Sequence, residues 1–432
     1  MQLPVVDPSV RFSCGSCTAC CNQPWRTVIE EKKAAALNRH DFSAYPALHG
    51  RKFYQRAADG RPGYFDLAKG EGNRCLFLDT DGLCIIHKEL GAAAKPDMCL
   101  QFPYLPSRTW TEHRVSVNFG CPSVQSRRGA LLTEQSDDIQ RATRLSDRPF
   151  RGTGVLVPLD ATTTVSHDEF EAIIEQAMMI FDDARPADVW SRFAELTGLL
   201  IGVRDFERNH PEGGGPGMLT FLDDRKCGSI APATKGIISF EDAATAPMPV
   251  RMLFAATLFP DTLPATSSGR VGLFRRLTLL PKLMSLARLS GGYASRILGR
   301  NISIDAVAGR SAGGAMDEAA TSLLLRYFRS RFWQRMIVGT RLPIIAGVHQ
   351  HILDLNAILF IARAEAQSRG DHRLSEAHVR KALTGVEFHL ANQTRMYEQT
   401  LKGWLRTQLC DAGLALQSLR LMAPMQEPAS VK

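Results

Sequence analysis

A run of cysteines near the amino terminus decides how this chain is expected to fold, since residues 14–21 read CGSCTACC. Two-residue spacing between cysteines lets a tight turn direct both sulfurs at one ion, while backbone N–H groups of the turn donate to the thiolates. Gly15 helps such a turn to close. The pattern predicts a metal-binding module, and its first ligands are Cys14, Cys17, Cys20 and Cys21.

The other cysteines are distributed unevenly, because eight of the ten lie before residue 122. The later ligands predicted for the module are Cys75, Cys84, Cys99 and Cys121. Cys227 and Cys410 lie far along the chain and are predicted to take no part in the site. In a compartment that keeps thiols reduced, such crowding indicates metal or redox chemistry more than disulfides.

The bulk composition is that of a folded globular protein, with 44% hydrophobic and 22% charged residues among 432. That length suffices for one large domain or two ordinary ones, with a core that needs no cross-links. The composition excludes a fibrous or a disordered chain. The net charge of +8 would favour an anionic partner only if the basic residues gathered on one face.

No segment of the sequence predicts export or membrane insertion. Residues 1–12 lack the positively charged region and following apolar run that are typical of a signal peptide. No stretch approaches 18 uninterrupted apolar residues, so no membrane span is predicted. We therefore expect the protein to reside in the cytoplasm.

Local patterns predict a mainly α-helical protein in two parts. Residues 1–150 are turn-rich and predict a small, irregular α+β module that binds metal through its cysteines. Residues 151–432 predict a helical domain, whose role the sequence does not indicate. Ser166 followed by Glu169 forms a capping box, which predicts that a helix begins just ahead of the apolar run that follows.

A β-hairpin is predicted at residues 74–87, because an Asp-Gly turn separates two short apolar runs. The hairpin would bring Cys75 and Cys84 close together. His87 could supply a nitrogen ligand, although an ordinary surface or core histidine is the simpler interpretation. The sequence Phe-Pro-Tyr at residues 102–104 follows Cys99 and predicts an apolar wall that limits water beside the site.

The cysteine pattern resembles that of a known family. The CxxCxxCC run, the pair at 75 and 84, and then Pro96-x-x-Cys99-x-x-Phe102-Pro103 are similar to the YkgJ-type cysteine-cluster family, over residues 10–125. This resemblance implies a protein that chelates zinc or iron. Some relatives with related clusters are flagellin lysine N-methylases, so the resemblance also implies an alternative, a metal-dependent enzyme that modifies flagellin-like proteins.

The sequence leaves the ion open. Structural zinc takes four Cys or His ligands in a tetrahedron. The run from Cys14 to Cys20 also matches the first three cysteines of a bacterial ferredoxin-type cluster, but the expected Cys-Pro is absent, and a remote cysteine would have to replace it. Eight thiols exceed one tetrahedron, so two ions or spare ligands are alternatives. A further alternative is an ion that only staples the module together.

Residues 270–300 form a basic segment, with seven Arg or Lys residues and no acidic residue. Such a segment can lie on an anionic membrane surface or on nucleic acid. We favour the simpler interpretation, a pair of core-packed helices with a solvated basic face.

Whether the protein is an enzyme is not decided by the sequence. No Gly-rich turn follows a predicted strand in the way that a Rossmann-type S-adenosylmethionine site requires. Cys17 and Cys21 have the first spacing of a radical-type CxxxCxxC run, but position 24 is Pro. Catalytic residues are therefore unassigned, and a metal ion is the predicted partner, with a protein partner as a further option.

Overall fold

The computed structural model of the protein describes residues 4–23, 25–110, 112–145, 156–182, 188–210, 215–225, 246–262, 273–308, 315–335, 342–390 and 407–423. The chain forms two compact units, Met1–Pro149 and Phe150–Lys432. Helices dominate and the strands are short, so the prediction of a mainly α protein with a small α+β region at its amino terminus is confirmed.

The amino-terminal unit combines short strands with short helices. Its strands are β1 (Val5–Val6), β2 (Arg11–Phe12), β3 (Val28–Glu30), β4 (Tyr54–Arg56), β5 (Tyr64–Leu67), β6 (Tyr104–Arg108), β7 (His113–Val117) and β8 (Ala130–Leu131). Its α-helices are α1 (Glu31–Arg39), α2 (Ile85–Leu90), α3 (Asp97–Gln101), α4 (Pro122–Gln125) and α5 (Ser136–Leu145).

Three small sheets organise this unit. β6 and β7 pair antiparallel, and β1 adds to β7 in parallel. β5 pairs antiparallel with both β3 and β4. β2 pairs with β8 and sets Phe12 opposite Ala130, so the start of the cysteine run is held beside the segment that follows Cys121.

A cluster of nine buried apolar residues forms the core beside β3, β5, α1 and α2. These residues are Ile29, Ala34, Leu37, Phe42, Leu48, Leu67, Phe77, Ile85 and Ile86. Burial of a side chain such as Phe77 stabilises the fold by about 1.5–3 kcal/mol. Cys75 and Cys84 are partly buried against this cluster. Apolar packing therefore positions both thiols.

The predicted hairpin at residues 74–87 is only partly present. Isolated bridges join Lys69 to Cys75 and Leu78 to Cys84, and a turn follows Asp79, whose carbonyl accepts from the N–H of Gly82. The second apolar run does not continue as a strand, because α2 begins at Ile85. The prediction of a second strand was therefore wrong, because Ile85 and Ile86 are buried in the first turn of a helix.

The second unit is built mainly from helices. They are α6 (His167–Ile180), α7 (Val189–Asn209), α8 (Gly215–Arg225), α9 (Met248–Leu258), α10 (Leu273–Arg288), α11 (Ile304–Ala308), α12 (Glu318–Trp333), α13 (Ile344–Arg369), α14 (Glu376–His389) and α15 (Ala412–Leu419). Two short antiparallel strand pairs accompany them in the described part of this unit. These are β9 (Val157–Pro158) with β10 (Thr164–Val165), and β11 (Gly292–Ser295) with β12 (Arg300–Ser303).

The start of α6 confirms the predicted capping box. The Ser166 hydroxyl accepts from the backbone N–H of Glu169 at 3.2 Å, and the Glu169 carboxylate accepts from the N–H of Ser166 at 2.7 Å. Each side chain thus satisfies a backbone donor that the first turn of a helix leaves without a partner.

Helix α13 is the centre of the second unit. Among the described residues it is the one helix long and apolar enough to cross a membrane, but 89% of its most apolar 18-residue window is buried inside the fold. Its polar side chains reach residues at and beyond α15. His349 contacts the Ser418 hydroxyl at 2.8 Å, Asn356 donates to the Ser418 carbonyl at 2.7 Å, and Arg363 donates to the Met422 carbonyl at 2.8 Å. The geometry is that of a core helix.

The basic segment 270–300 contains one helix and most of a hairpin. Residues 270–272 lie outside the described part, α10 contains Pro281, and β11 then pairs with β12 through Tyr293 and Ile302. The expectation of two helices was therefore wrong, because burial alternates along β11 with the two-residue period of a strand. Contact with a membrane surface or with nucleic acid stays a prediction.

Candidate metal centre

The CxxCxxCC run changes direction twice within a few residues. Ser16 and Thr18 both adopt left-handed backbone conformations, with φ of 49° and 59°. A short 3-10 helix, Ala19–Asn22, follows directly. Non-glycine residues rarely adopt positive φ, and they do so where the surrounding structure imposes it. The turn at Thr18 separates Cys14 and Cys17 from the adjoining pair Cys20 and Cys21, whereas the turn at Ser16 lies between Cys14 and Cys17.

The first thiol group gathers around this adjoining pair. The sulfur atoms of Cys20 and Cys21 lie 3.9 Å apart. The backbone N–H of Cys75 donates to the carbonyl of Cys21 at 2.8 Å, which places the third cysteine beside the pair. Cys84 is joined to the same region by its bridge to Leu78.

The fifth member of the group, Cys99, lies on α3. Lys33 fixes the amino-terminal end of this helix, because its ammonium group donates to the Lys95 carbonyl at 2.7 Å and also pairs with Asp97. The Met98 sulfur accepts from the backbone N–H of Val28 at 3.1 Å. These contacts tie α3 to β3 and α1 and fix the position of Cys99.

The ionisation of these thiols shows that they influence one another. Burial, with smaller contributions from the charges of Cys21 and Cys84, raises the pKa of Cys75 to about 11. Burial and then the charge of Cys75 raise the pKa of Cys99 to about 12. The hydrogen bond to Cys20, followed by burial, raises the pKa of Cys21 as well. The first thiol group is thus Cys20, Cys21, Cys75, Cys84 and Cys99.

Two lysines lie near the first thiol group and were not identified from the sequence. Lys95 lowers the pKa of Cys21 and Cys99, and Lys69 lowers that of Cys21 and Cys75, in each case against the larger effects that raise it. Lys95 stands four residues before Cys99, a spacing that could have drawn attention to it. Nothing in the sequence marks Lys69, because the fold alone brings it to the thiols.

The second thiol group consists of Cys14, Cys17 and Cys121. Cys121 is buried, whereas Cys14 and Cys17 are exposed. Burial raises the pKa of Cys121, the backbone N–H groups of Val124 and Ser123 lower it, and the charges of Cys17 and Cys14 raise it further. The run CxxCxxCC therefore contributes its first two thiols to one place and its last two to another.

Close backbone packing holds the second thiol group together. A Cβ atom at Gly15 would lie 3.0 Å from the hydroxyl of Ser123 and 2.6 Å from a guanidinium nitrogen of Arg128. A Cβ atom at Gly82 would lie 3.2 Å from the methyl group of Thr18. The cysteine run is therefore packed between the turn before Cys84 and the segment after Cys121.

The predicted apolar wall is divided between the two thiol groups. Phe102 packs edge-on against Trp25, with ring centroids 5.2 Å apart. Tyr104 packs edge-on against Phe12, and its hydroxyl donates to Gln135 at 2.8 Å. Burial raises the pKa of Tyr104, and the charges of Asp138 and, to a smaller extent, Cys14 raise it further. Tyr104 thus stands beside the second thiol group and does not form part of an apolar wall beside Cys99, as its position in the sequence had suggested.

The donor atoms of both groups fit a thiophilic ion. All eight cysteines of the amino-terminal unit are free thiols. Within the described ranges, no three His, Cys, Asp or Glu side chains already stand in the arrangement of a metal site. Sulfur ligands suit zinc and iron, and binding must draw the thiols together as it displaces their protons.

The remaining candidates lie apart from these groups. His87 is exposed on α2. Cys410 is half-buried in the second unit, and Cys227 lies outside the described residues. The assignment of the eight amino-terminal cysteines as ligands, and of these three residues as bystanders or weaker candidates, remains a prediction.

The thiol-rich part of the chain is similar to a known cysteine-cluster domain. Residues 13–121 match the CxxCxxCC family model, which is described as a "Putative zinc- or iron-chelating domain". The resemblance seen in the sequence is therefore confirmed for residues 13–121.

Comparison with known proteins finds relatives that are similar to part of this chain. Over 131 residues the chain is 28% identical to a lysine-N-methylase of Salmonella typhimurium, covering 29% of this chain and 32% of that protein. It is equally similar, at 28% over 131 residues, to the flagellar biosynthetic protein FliU of Salmonella muenchen, covering 29% of this chain and 77% of FliU. The chain thus spans about a third of the methylase's length. No solved structure matches the chain.

Substitution of Gly129 tests the packing of the cysteine run. Gly129 has a φ of +95°, and a Cβ atom there would lie 2.6 Å from the backbone nitrogen of Ser13. We expect Gly129→Ala to cost about 1–2 kcal/mol through its left-handed conformation and about 1–3 kcal/mol more through overpacking. Hydrogen exchange should accelerate in residues 11–17.

Gly60→Ala is the matched control, because Gly60 also has a positive φ, +69°, but nothing lies within 4 Å of its Cβ position. It should lose only the conformational part of the stability and leave exchange in residues 11–17 unchanged. Equal effects of the two substitutions would contradict the packing described for Ser13.

Proposed function

We propose that the protein chelates zinc or iron through its CxxCxxCC domain, and that the first thiol group holds the ion. The observation that carries this proposal is the convergence of five thiols from three separate segments on one place. Protonated, these groups gain little from proximity, whereas as thiolates they repel one another. A divalent cation removes that conflict, because thiolate is the form that binds metal.

The distance between Cys20 and Cys21 bears on the kind of ion. When two sulfurs bind the same zinc ion, each at about 2.3 Å and with the tetrahedral angle between the two bonds, the sulfurs lie about 3.8 Å apart. The observed separation is 3.9 Å, so this pair suits two corners of one tetrahedron. The same geometry suits one iron with two cysteine ligands, including an iron of a two-iron cluster. In a four-iron cluster each cysteine would bind a different iron, so binding would have to move these two thiols apart.

The surrounding residues favour such a centre. Lys69 and Lys95 bring positive charge to a site where four thiolates would exceed the charge of a divalent ion. Cys75 and Cys84 stand against the apolar core, which restricts water on that side. When bound, the ion would supply a cross-link between the cysteine run, the segment 75–84 and α3.

We propose that the protein works in a reducing compartment such as the cytoplasm, because thiols must stay reduced to bind metal as thiolates.

Removal of two thiols should remove the ion. The double substitution Cys75→Ser and Cys84→Ser leaves three of the five thiols, fewer than a tetrahedral ion needs, and is expected to lose one equivalent of metal per chain relative to the unmodified protein, since a serine hydroxyl is a poor ligand for zinc or iron. Cys410→Ser is a matched control, because Cys410 is also half-buried and lies in the other unit. Elemental analysis of anaerobically purified protein, with an absorption spectrum, measures both. Equal metal content in the two variants would overturn the proposal.

Metal binding should release protons and strengthen with pH. Near pH 7.5 the thiols of Cys75 and Cys99 are protonated, since their pKa values are about 11 and 12. Each must lose its proton to bind as thiolate, so affinity should rise up to about tenfold per pH unit for each proton displaced. Calorimetry in buffers of different ionisation enthalpy counts these protons. Binding without proton release would show that these cysteines are not ligands.

A second candidate function is suggested by the names of two relatives. One is a lysine-N-methylase and the other a flagellar biosynthetic protein, although the chain spans about a third of the methylase. We therefore propose, as the alternative, a metal-dependent enzyme that methylates lysine in flagellin-like proteins. In that case the helical unit would contribute to the binding of S-adenosylmethionine or of the protein substrate.

The alternative is tested by calorimetry with S-adenosylmethionine and by mass spectrometry of flagellin incubated with protein and cofactor. The methylase function requires saturable binding of the cofactor and the appearance of methylated lysines in the flagellin. Loss of both signals in the double variant Cys75→Ser and Cys84→Ser, with retention in Cys410→Ser, would link the activity to the thiol centre. A protein that binds metal but neither binds the cofactor nor modifies lysine would retain only the first function.

A further inference from the structure

Three basic side chains meet at one buried carboxylate in the second unit. Glu365, near the carboxyl end of α13, pairs with Arg369 at 2.8 Å, with Lys381 at 2.9 Å and with Arg300 at 3.1 Å. Arg300 begins β12 and Lys381 lies on α14, so three elements of the fold supply the cations. We propose that this basic cluster, defined as Arg300, Arg369 and Lys381, binds a phosphate group that carries two negative charges.

The charges within the basic cluster do not balance. Three positive charges face the single negative charge of Glu365, which leaves a net charge of +2. In the described part of the chain, none of the three cations pairs with a second carboxylate. Like charges held this close repel one another, so an anion that contacts all three would stabilise the arrangement. This inference goes beyond the proposed function and does not depend on it, because no cysteine takes part.

The cations of the cluster face solvent, whereas the carboxylate does not. The Glu365 side chain is 5% exposed, and the side chains of Arg300, Lys381 and Arg369 are 37%, 45% and 56% exposed. Burial by itself would raise the pKa of Glu365, but hydrogen bonds from Lys381 and Arg369 outweigh burial and lower that pKa, so the carboxylate is ionised at neutral pH. An anion that approaches from solvent therefore meets the basic groups and not the carboxylate.

The fold holds the cluster in place without a ligand. Arg369 donates to the carboxylate through two nitrogens, Nε at 2.9 Å and Nη2 at 2.8 Å. Arg300 also donates to a backbone carbonyl of α13 at 3.0 Å. The chain between β11 and β12 packs closely on α14, since a Cβ atom at Gly385 would lie 2.1 Å from a methyl group of Ile297. Side chains that are already ordered lose less conformational entropy when a ligand binds.

The net charge of the cluster selects among anions. Inorganic phosphate and phosphate monoesters carry a charge of about −1.5 to −2 near neutral pH, together with three or more acceptor oxygens. This charge matches the +2 of the cluster. A carboxylate, or one phosphate diester of a nucleic acid, carries a single negative charge. Guanidinium groups also bind phosphate oxygens in pairs. The cluster therefore suits a terminal phosphate better than a nucleic-acid backbone.

Titration with inorganic phosphate tests the cluster. Calorimetry on the full chain at pH 7.5 and low ionic strength should show saturable binding, because salt would screen the exposed charges. Lys381→Ala should weaken this binding about tenfold, since one charge-assisted hydrogen bond is lost. Lys381→Arg should keep most of the affinity. Lys282→Ala is the matched control, because Lys282 is an exposed lysine on α10, and it should bind phosphate as the unmodified protein does.

Two further probes identify the kind of phosphate. Phenyl phosphate, a monoester with two charges, should bind with an affinity similar to that of inorganic phosphate, whereas dimethyl phosphate, a diester with one charge, should bind much more weakly. Vesicles with and without phosphatidic acid distinguish a lipid headgroup from a soluble phosphate as the source. If the headgroup is a source, only the vesicles with phosphatidic acid should retain the protein, and Lys381→Ala should reduce that retention.

The outcomes that contradict the inference are distinct from those that contradict the proposed function. Equal phosphate affinity in Lys381→Ala and Lys282→Ala would place the anion elsewhere, such as at a bound metal ion, and would overturn the inference. Duplex DNA that binds through Lys381, without binding of inorganic phosphate, would overturn it too, because the cluster would then contact diesters. Metal content should be the same in Lys381→Ala and in the unmodified protein, so either idea can fail without the other. Circular dichroism checks that each variant is folded.

Discussion

The free energy needed to ionise thiols that are packed against one another is the main constraint on the amino-terminal unit. Cys21, Cys75 and Cys99 all have raised pKa values, because burial and neighbouring sulfurs both disfavour the thiolate. The short strands and helices around them bury only a small apolar cluster. Such a unit gains more from a cation that joins its segments than from any single hydrogen bond, since metal-binding free energy in small domains becomes folding free energy.

The two units are stabilised by different kinds of contact. The amino-terminal unit draws its order from many short contacts, among them Lys33 with α3 and Phe12 with Tyr104. The second unit surrounds one long apolar helix, α13, with others that bury most of its surface. The family match ends at residue 121, so the helical unit is where this chain can differ most from other proteins with the same cysteine motif.

Sequence patterns predicted those features that local chemistry controls. The capping box at Ser166 formed because both partners lie in one turn of helix. The approach of Cys75 and Cys84 was foreseen, but α2 replaced the second strand, since burial of Ile85 and Ile86 is a tertiary effect. The division of the CxxCxxCC run could not be predicted from spacing. It depends on the positive φ angle of Thr18 and on contacts of Gly15 with segments about a hundred residues further along the chain.

The polar contacts of α13 have a consequence for how the chain folds as it is synthesised. His349 is fully buried, and burial lowers its pKa to about 4, so it is neutral and depends on Ser418 and the Leu409 carbonyl for hydrogen bonds. Asn356 and Arg363 likewise depend on carbonyls at residues 418 and 422. A buried polar group without its partner costs about 1–3 kcal/mol. Residues up to 422 must therefore be synthesised before the central helix can settle into its final surroundings, whereas the cysteines before residue 122 leave the ribosome much earlier.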